Sequence, residues 1–228
     1  MLRWLATLLL AAPLAISAEP FVPKDDAEIV QRLPYRVDAA ERQRRAALAR
    51  DPGQLPLAVA AARAALERAR VHGDPRELGA AQAALAPWWS RADAPPEAVL
   101  LRAHVLQASH EFDTALADLR GLLARSDLAP ELRAQALLDT AALHQLRAQL
   151  PEARARCAEL QPLAALPATA CLAELASLSP GGDRAQSAQT LARLSPGRSI
   201  TPWLALMRAE LAERAGDETA APTLYRLA

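Results

Sequence analysis

This sequence predicts an all-α fold, an α-solenoid of stacked antiparallel helix hairpins, on three observations. A turn pair, most often Gly-Asp, recurs at Gly73-Asp74, His110-Glu111, Ala148-Gln149, Gly182-Asp183 and Gly216-Asp217, at intervals of 37, 38, 34 and 34 residues, the period of two-helix repeats. A small residue stands five positions after the first member of most pairs, inside the following helix. Between the turns, Ala and Leu recur at helical intervals with Arg, Glu or Gln among them, which is the pattern of helices carrying one apolar stripe. In such a stack the core is a continuous seam between neighbouring hairpins instead of one central cluster.

Residues 1–18 stand apart as a secretory signal: Arg3 is the basic start, Trp4 to Ile16 the apolar run, and Ala15-Ile16-Ser17-Ala18 the small-residue end. Cleavage after Ala18 is the expectation, with an uncleaved membrane anchor as the alternative. Residues 19–37 carry Pro20, Pro23 and Pro34 and form an extended arm with one short helical turn, where Asp25 and Glu28 have capping-box spacing. Residues 38–228 form the repeat domain. Its first helix runs from Asp38 to Arg50 and stops before Asp51-Pro52, because the residue before a proline is driven out of the helical region. Leu55 to His72 and Pro75 to Trp89 make the first full hairpin. Pro96 to Ser109 with Phe112 to Arg125 makes the second, and Pro130 to Arg147 with Pro151 to Leu160 the third. Proline opens several of these helices, where its missing N–H and fixed φ do no harm. Ala168 to Leu178 with Arg184 to Leu194 is the fourth hairpin, and Pro202 to Ala215, followed by a helix running to Ala228, is the fifth.

The register within the hairpins carries more than the composition does. Seven residues before each turn stand Ala103, Ala141, Leu175 and Ala209; five after it stand Ala115, Ala153, Ser187 and Ala221. Small groups at both places let paired helices approach closely, while Leu119, Cys157, Leu191 and Tyr225, four residues further on, fill the seam to the next hairpin. With Phe112-Asp113-Thr114-Ala115-Leu116 and Gly216-Asp217, Ala221 and Tyr225 at these places, the chain resembles a tetratricopeptide repeat protein from about residue 38 to 228. The fit is looser in the first hairpin, which needs one or two extra residues before Ala80. It departs from the family in its first helices, which mostly have Ala, Leu or Val where Trp, Gly or Tyr is usual. The signal, Leu33-Pro34, Gly73-Asp74-Pro75-Arg76, Trp88-Trp89 and the two cysteines together resemble exported bacterial repeat proteins without an assigned role.

That resemblance implies a right-handed solenoid whose first helices line a concave face. The register then places Glu97, Leu100, His104 and Gln107 there from one hairpin, Gln135, Leu138 and Gln145 from the next, and Trp203, Leu206, Glu210 and Glu213 from the last. Amides, acids, one imidazole and scattered apolar groups suit an extended protein or peptide segment. The expected function is a non-catalytic binding scaffold. The alternative is an assembly subunit stacking through its C-terminal edge, where Leu224 and Leu227 have no polar capping helix over them.

Charge and chemistry exclude other classes. The chain has 26 basic and 26 acidic residues, so no net field steers it to nucleic acid or anionic lipid, and membrane contact is expected only through an uncleaved signal. Lys24 is the sole lysine, and heavy Arg, Ala, Leu and Pro use points to a GC-rich bacterial genome and hence to the periplasm. Cys157 and Cys171 lie seven residues either side of the connection near Ala164, so antiparallel helices bring them level; a disulfide in an oxidising compartment is the expectation, with two buried thiols as apolar fillers the alternative. The histidines, His72, His104, His110 and His144, have no metal-ligand spacing. No phosphate loop, no Gly-x-Ser-x-Gly elbow and no Ser/His/Asp order is present. No enzyme activity, metal or cofactor is therefore expected. Arg42-Gln43-Arg44-Arg45 reads as a hydrated helix surface, and Trp88-Trp89, Phe112 and Trp203 as fillers at loops or as partner anchors.

Overall fold

The computed structural model describes residues 22–25, 28, 39–195, 197, 201–217 and 219–227. The signal and most of the arm lie outside the described residues. In the arm, Lys24 N–H donates to Glu28 Oε2 at 2.5 Å and Glu28 N–H to the Asp25 carbonyl at 3.2 Å. The Glu28 carboxylate thus reaches back as in a capping box, but to the amide one residue earlier than Asp25.

Residues 39–228 form a separate unit, and no strand occurs among the described residues. Its helices are α1 Ala39–Arg50, α2 Leu55–His72, α3 Arg76–Ala84, α4 Pro96–Ala108, α5 Phe112–Leu123, α6 Pro130–Leu146, α7 Leu150–Leu160, α8 Ala165–Leu178, α9 Arg184–Arg193, α10 Thr201–Arg214 and α11 Ala220–Tyr225. Each packs on its neighbour in sequence, and α2, α4, α6, α8 and α10 also touch in succession. Most ends fall within a residue or two of expectation. The largest difference is α3, expected to reach Trp89 but ending at Ala84, with a 3₁₀ turn over Ala86–Trp88. Pro87 is the reason, because its ring lacks an N–H and clashes with the preceding turn. At the other extreme α8 starts at Ala165, three residues early, because Pro167 falls in its first turn, where no donor is missed.

The expected small residues of the second to fifth hairpins are all buried. Ala103, Ala115, Ala141, Ala153 and Ala209 are at most 1 % exposed, and Ser187 and Ala221 are buried as well. Leu119, Cys157 and Leu191 fill the places four residues beyond. Tyr225 does not: it is 40 % exposed, since no further helix among the described residues covers it, and its hydroxyl donates to Glu213 Oε2 at 2.5 Å. In the first hairpin Ala81 and Ala84 of α3 are buried, with Ala80 only half-buried. The apolar interior is a series of clusters: one from α2 to α6, others across α6, α7 and α8, and another joining α8, α9 and α10.

Three of the five turns share one geometry. His110, Ala148 and Gly216 have φ of 62°, 56° and 75°. Glu111 N–H reaches the Leu106 carbonyl, Gln149 N–H that of His144 and Asp217 N–H that of Ala212, at 2.8–2.9 Å, and the left-handed residue bonds three back in each case. This is the paired-bond C-terminal cap that satisfies the last carbonyls of a helix. Gly73 makes a single bond, to Ala69 at 2.9 Å. The Gly182-Asp183 turn is built otherwise: Gly181 takes the positive φ of 72°, and Gly182 lies so near the chain that a Cβ there would stand 1.9 Å from the Ala176 carbonyl oxygen.

Arginines hold successive pairs together. Arg102 of α4 grips Asp118 of α5 with bonds of 2.7 and 2.6 Å and donates to the Trp88 and Trp89 carbonyls at 3.1 and 2.7 Å. Arg133 of α6 bonds the Leu123 and Arg125 carbonyls, and Arg208 of α10 those of Leu191 and Leu194. Carbonyls left open where one hairpin ends are thus filled from the next. Arg42, Gln43 and Arg45 are exposed, as expected, and Arg44 is half-buried, but Arg44 and Arg45 also reach a buried carboxylate. With Arg68 of α2 they surround Glu41, 5 % exposed, and Arg68 also bonds Glu77 of α3, 2 % exposed, at 2.8 Å. Burial works against the Glu41 charge, but hydrogen bonds from Arg45 and Arg44 and the charge of Arg68 outweigh it and hold its carboxyl below the usual range.

Cys157 of α7 and Cys171 of α8 lie within disulfide distance, with Cα atoms 5.9 Å apart. Closing a loop of about 15 residues contributes about 3 kcal/mol in the chain-entropy account. The Cys157→Ala, Cys171→Ala double variant is expected to lose stability of that order in urea unfolding, and reductant should then no longer shift the midpoint. At the Ala148 turn, a Cβ at positive φ costs about 1 kcal/mol relative to glycine. Ala148→Gly is therefore expected to raise stability by about that amount, and Gly73→Ala to lower it, in the same assay.

Candidate functional site

A cavity of about 410 Å³ opens between α6, α8 and α10, within the span of about 300–1,000 Å³ common for ligand pockets. α6 contributes Gln135, Leu138, Asp139, Ala142 and Gln145, one face at helical spacing; α8 contributes Pro167, Cys171 and Glu174; α10 contributes Trp203 and Met207. Its apolar walls are therefore Leu138, Pro167, Trp203 and Met207, and its charged members are two carboxylates.

Four of the expected residues, Gln135, Leu138, Gln145 and Trp203, line this cavity. His104 joins them indirectly: its Nε2–H donates to Asp139 Oδ2 at 2.6 Å, and Gln135 Nε2 donates to Asp139 Oδ1 at 2.8 Å. The others do not line it. Leu100 is 4 % exposed and belongs to the core, because α4 touches both α2 and α6 and its Leu100 side is covered. Glu97 and Gln107 are half-buried on α4, while Leu206 and Glu213 are exposed on α10. Glu210 stands 3.9 Å from Arg214.

Asp139 and Glu174 are the charged members the sequence reading missed, as it did Ala142, Pro167 and Met207. Asp139 lies four residues after Gln135 on the same helix face, so the register already held the signal. Glu174 sits on α8, from which no face residue was projected. It accepts from Gln145 Nε2 at 3.1 Å and lies 3.8 Å from Arg214, and burial pushes its carboxyl above the ordinary range. The Gln145 bond and Arg214 oppose that rise, and the Glu210 charge adds to it.

The aromatic and histidine candidates have structural places. Trp88 is 7 % exposed in the α2 to α6 cluster, with Trp89 and Phe112 packed against it. His110 meets Phe112 edge-on at 5.5 Å between ring centroids. His144 Nδ1–H donates to Gln149 Oε1 at 2.8 Å across its turn, and His72 is exposed. No group of three or more His, Cys, Asp or Glu side chains among the described residues is arranged to hold a metal ion. No helix among them is long and apolar enough to cross a membrane, and the paired cysteines point to an oxidising compartment.

No protein-family model matches this chain, and no curated protein matches it. The geometry of α6, α8 and α10 therefore carries the functional reading by itself.

The His104 to Asp139 bond makes a pH prediction. Burial disfavours the imidazolium, but the Asp139 hydrogen bond and charge outweigh both that and the opposing charge of Arg63, so His104 titrates above its ordinary value of 6.5. A folded pKa raised above the unfolded one contributes stability that is fully present below the unfolded value and lost as pH rises through the folded one. Stability measured by urea unfolding should therefore fall as pH increases past the ordinary histidine value, and His104→Gln should flatten that part of the profile.

Proposed function

We propose that residues 38–228 form a right-handed solenoid of the tetratricopeptide type, exported to the periplasm by residues 1–18. In this reading it acts as a non-catalytic scaffold that binds an extended segment of another protein. The observation that carries the reading is the cavity between α6, α8 and α10, because these are first helices of successive hairpins and their shared face is the one such repeats leave open. The succession of contacts from α2 to α10 and the repeated left-handed turns support the solenoid.

The groove suits an extended chain. Gln135 and Gln145 offer amides to a peptide backbone, and Leu138, Trp203 and Met207 offer surface to its side chains. Helices fixed by packed alanines and by arginine caps lose little conformational freedom when a ligand arrives, which keeps binding energy from being consumed in ordering the receptor.

Selection from a random dodecapeptide display library against the full chain, with a Leu138→Arg variant as parallel bait, tests this. Peptides retained by the parent and lost by Leu138→Arg, at unchanged helical content, are the expected result. A library yielding no binder, or binders indifferent to Leu138→Arg, would sink the proposal.

A further inference from the structure

The lining of the groove is one-sided in charge. Asp139 and Glu174 are its ionisable members, and no arginine or histidine lines it. Arg214, whose charge lies 3.8 and 3.9 Å from Glu174 and Glu210, is not part of the wall. Both carboxylates are poorly reached by solvent, with side chains 13 % and 12 % exposed.

Each carboxylate has one cationic neighbour, His104 for Asp139 and Arg214 for Glu174, and neither is hydrogen-bonded by an arginine. Asp139 is met by a histidine, charged only when protonated, and by the Gln135 amide. Glu174 is met by the neutral Gln145 amide and by Arg214 beyond hydrogen-bond distance. The remaining wall is apolar and includes an indole, the face of which attracts cations.

We infer that the groove takes an arginine or lysine side chain from the bound segment, its charge met by Asp139 and Glu174 and its alkyl stem laid along Leu138, Trp203 and Met207. This rests on the peptide-binding reading above and narrows its partner to basic, partly apolar segments. Long cationic side chains suit such a site, since they bury their methylenes on apolar surface while the charged head finds carboxylates. Arginine is favoured over lysine, because its planar fork bonds a carboxylate through two N–H groups.

The test uses peptides recovered with the display library. Arginine or lysine should be enriched in them beside an aliphatic residue. In a selected synthetic peptide, replacing the arginine by the neutral isostere citrulline should weaken binding about tenfold or more, the size of a lost charge-assisted hydrogen bond. Glu174→Gln and Asp139→Asn should each reduce affinity for the arginine peptide while leaving the citrulline peptide unaffected. Because citrulline alters the ligand alone, its effect is independent of how either variant folds. Acidic peptides among the binders, or equal affinity for arginine and citrulline, would overturn the inference while leaving the Leu138-dependent groove intact. A failure to select any Leu138-dependent peptide would remove both readings together.

Discussion

Close approach of paired helices at alanine is the constraint from which the rest of the structure follows. Ala103, Ala115, Ala141, Ala153 and Ala209 are essentially inaccessible, and a larger side chain at any of them would push its helix outward. Small groups on both members of a pair let ridges of one enter grooves of the other at short axial distance. With so little side-chain volume at the crossing, the larger leucines are displaced to the seams between pairs. There Leu119 and Leu191 join one hairpin to the next, and Cys157 takes the equivalent place with its sulfur paired.

Packing this close leaves the helix ends to be satisfied, and here the charged residues act. Arg102, Arg133 and Arg208 carry guanidinium groups from first helices onto the terminal carbonyls of the preceding segment. A long stem crosses the apolar seam and a multi-donor head serves two or more carbonyls at once, which lysine's point charge does less well. An almost lysine-free chain is therefore consistent with its architecture. The Glu41, Arg68 and Glu77 cluster does a related task at the other end, tying α1, α2 and α3 through carboxylates that have almost no water.

Periodicity made the helices, their pairing and the tight alanine crossings legible from the sequence, because each rests on spacing alone. Its errors have local causes. α3 stops early because Pro87 is stronger than the apolar pattern around it, and the fourth turn shifts its left-handed residue to Gly181 because a glycine doublet offers two candidates. The cavity was half legible. Gln135, Leu138, Gln145 and Trp203 follow from helical register, whereas Leu100 was assigned to an open face that the neighbouring helices cover. Asp139 and Glu174 were passed over because an acid on a helix surface looks ordinary until the partners around it are known. The arginine caps were invisible for a similar reason: their acceptors are backbone carbonyls, which leave no trace in residue identity.

The turns at His110 and Ala148 have a further consequence. Both residues hold the left-handed torsion that Gly73 and Gly216 hold, so the chain turns between consecutive helices through the same backbone angle with or without a glycine. The repeat is therefore more regular in this one torsion than in the residues that spell its turns.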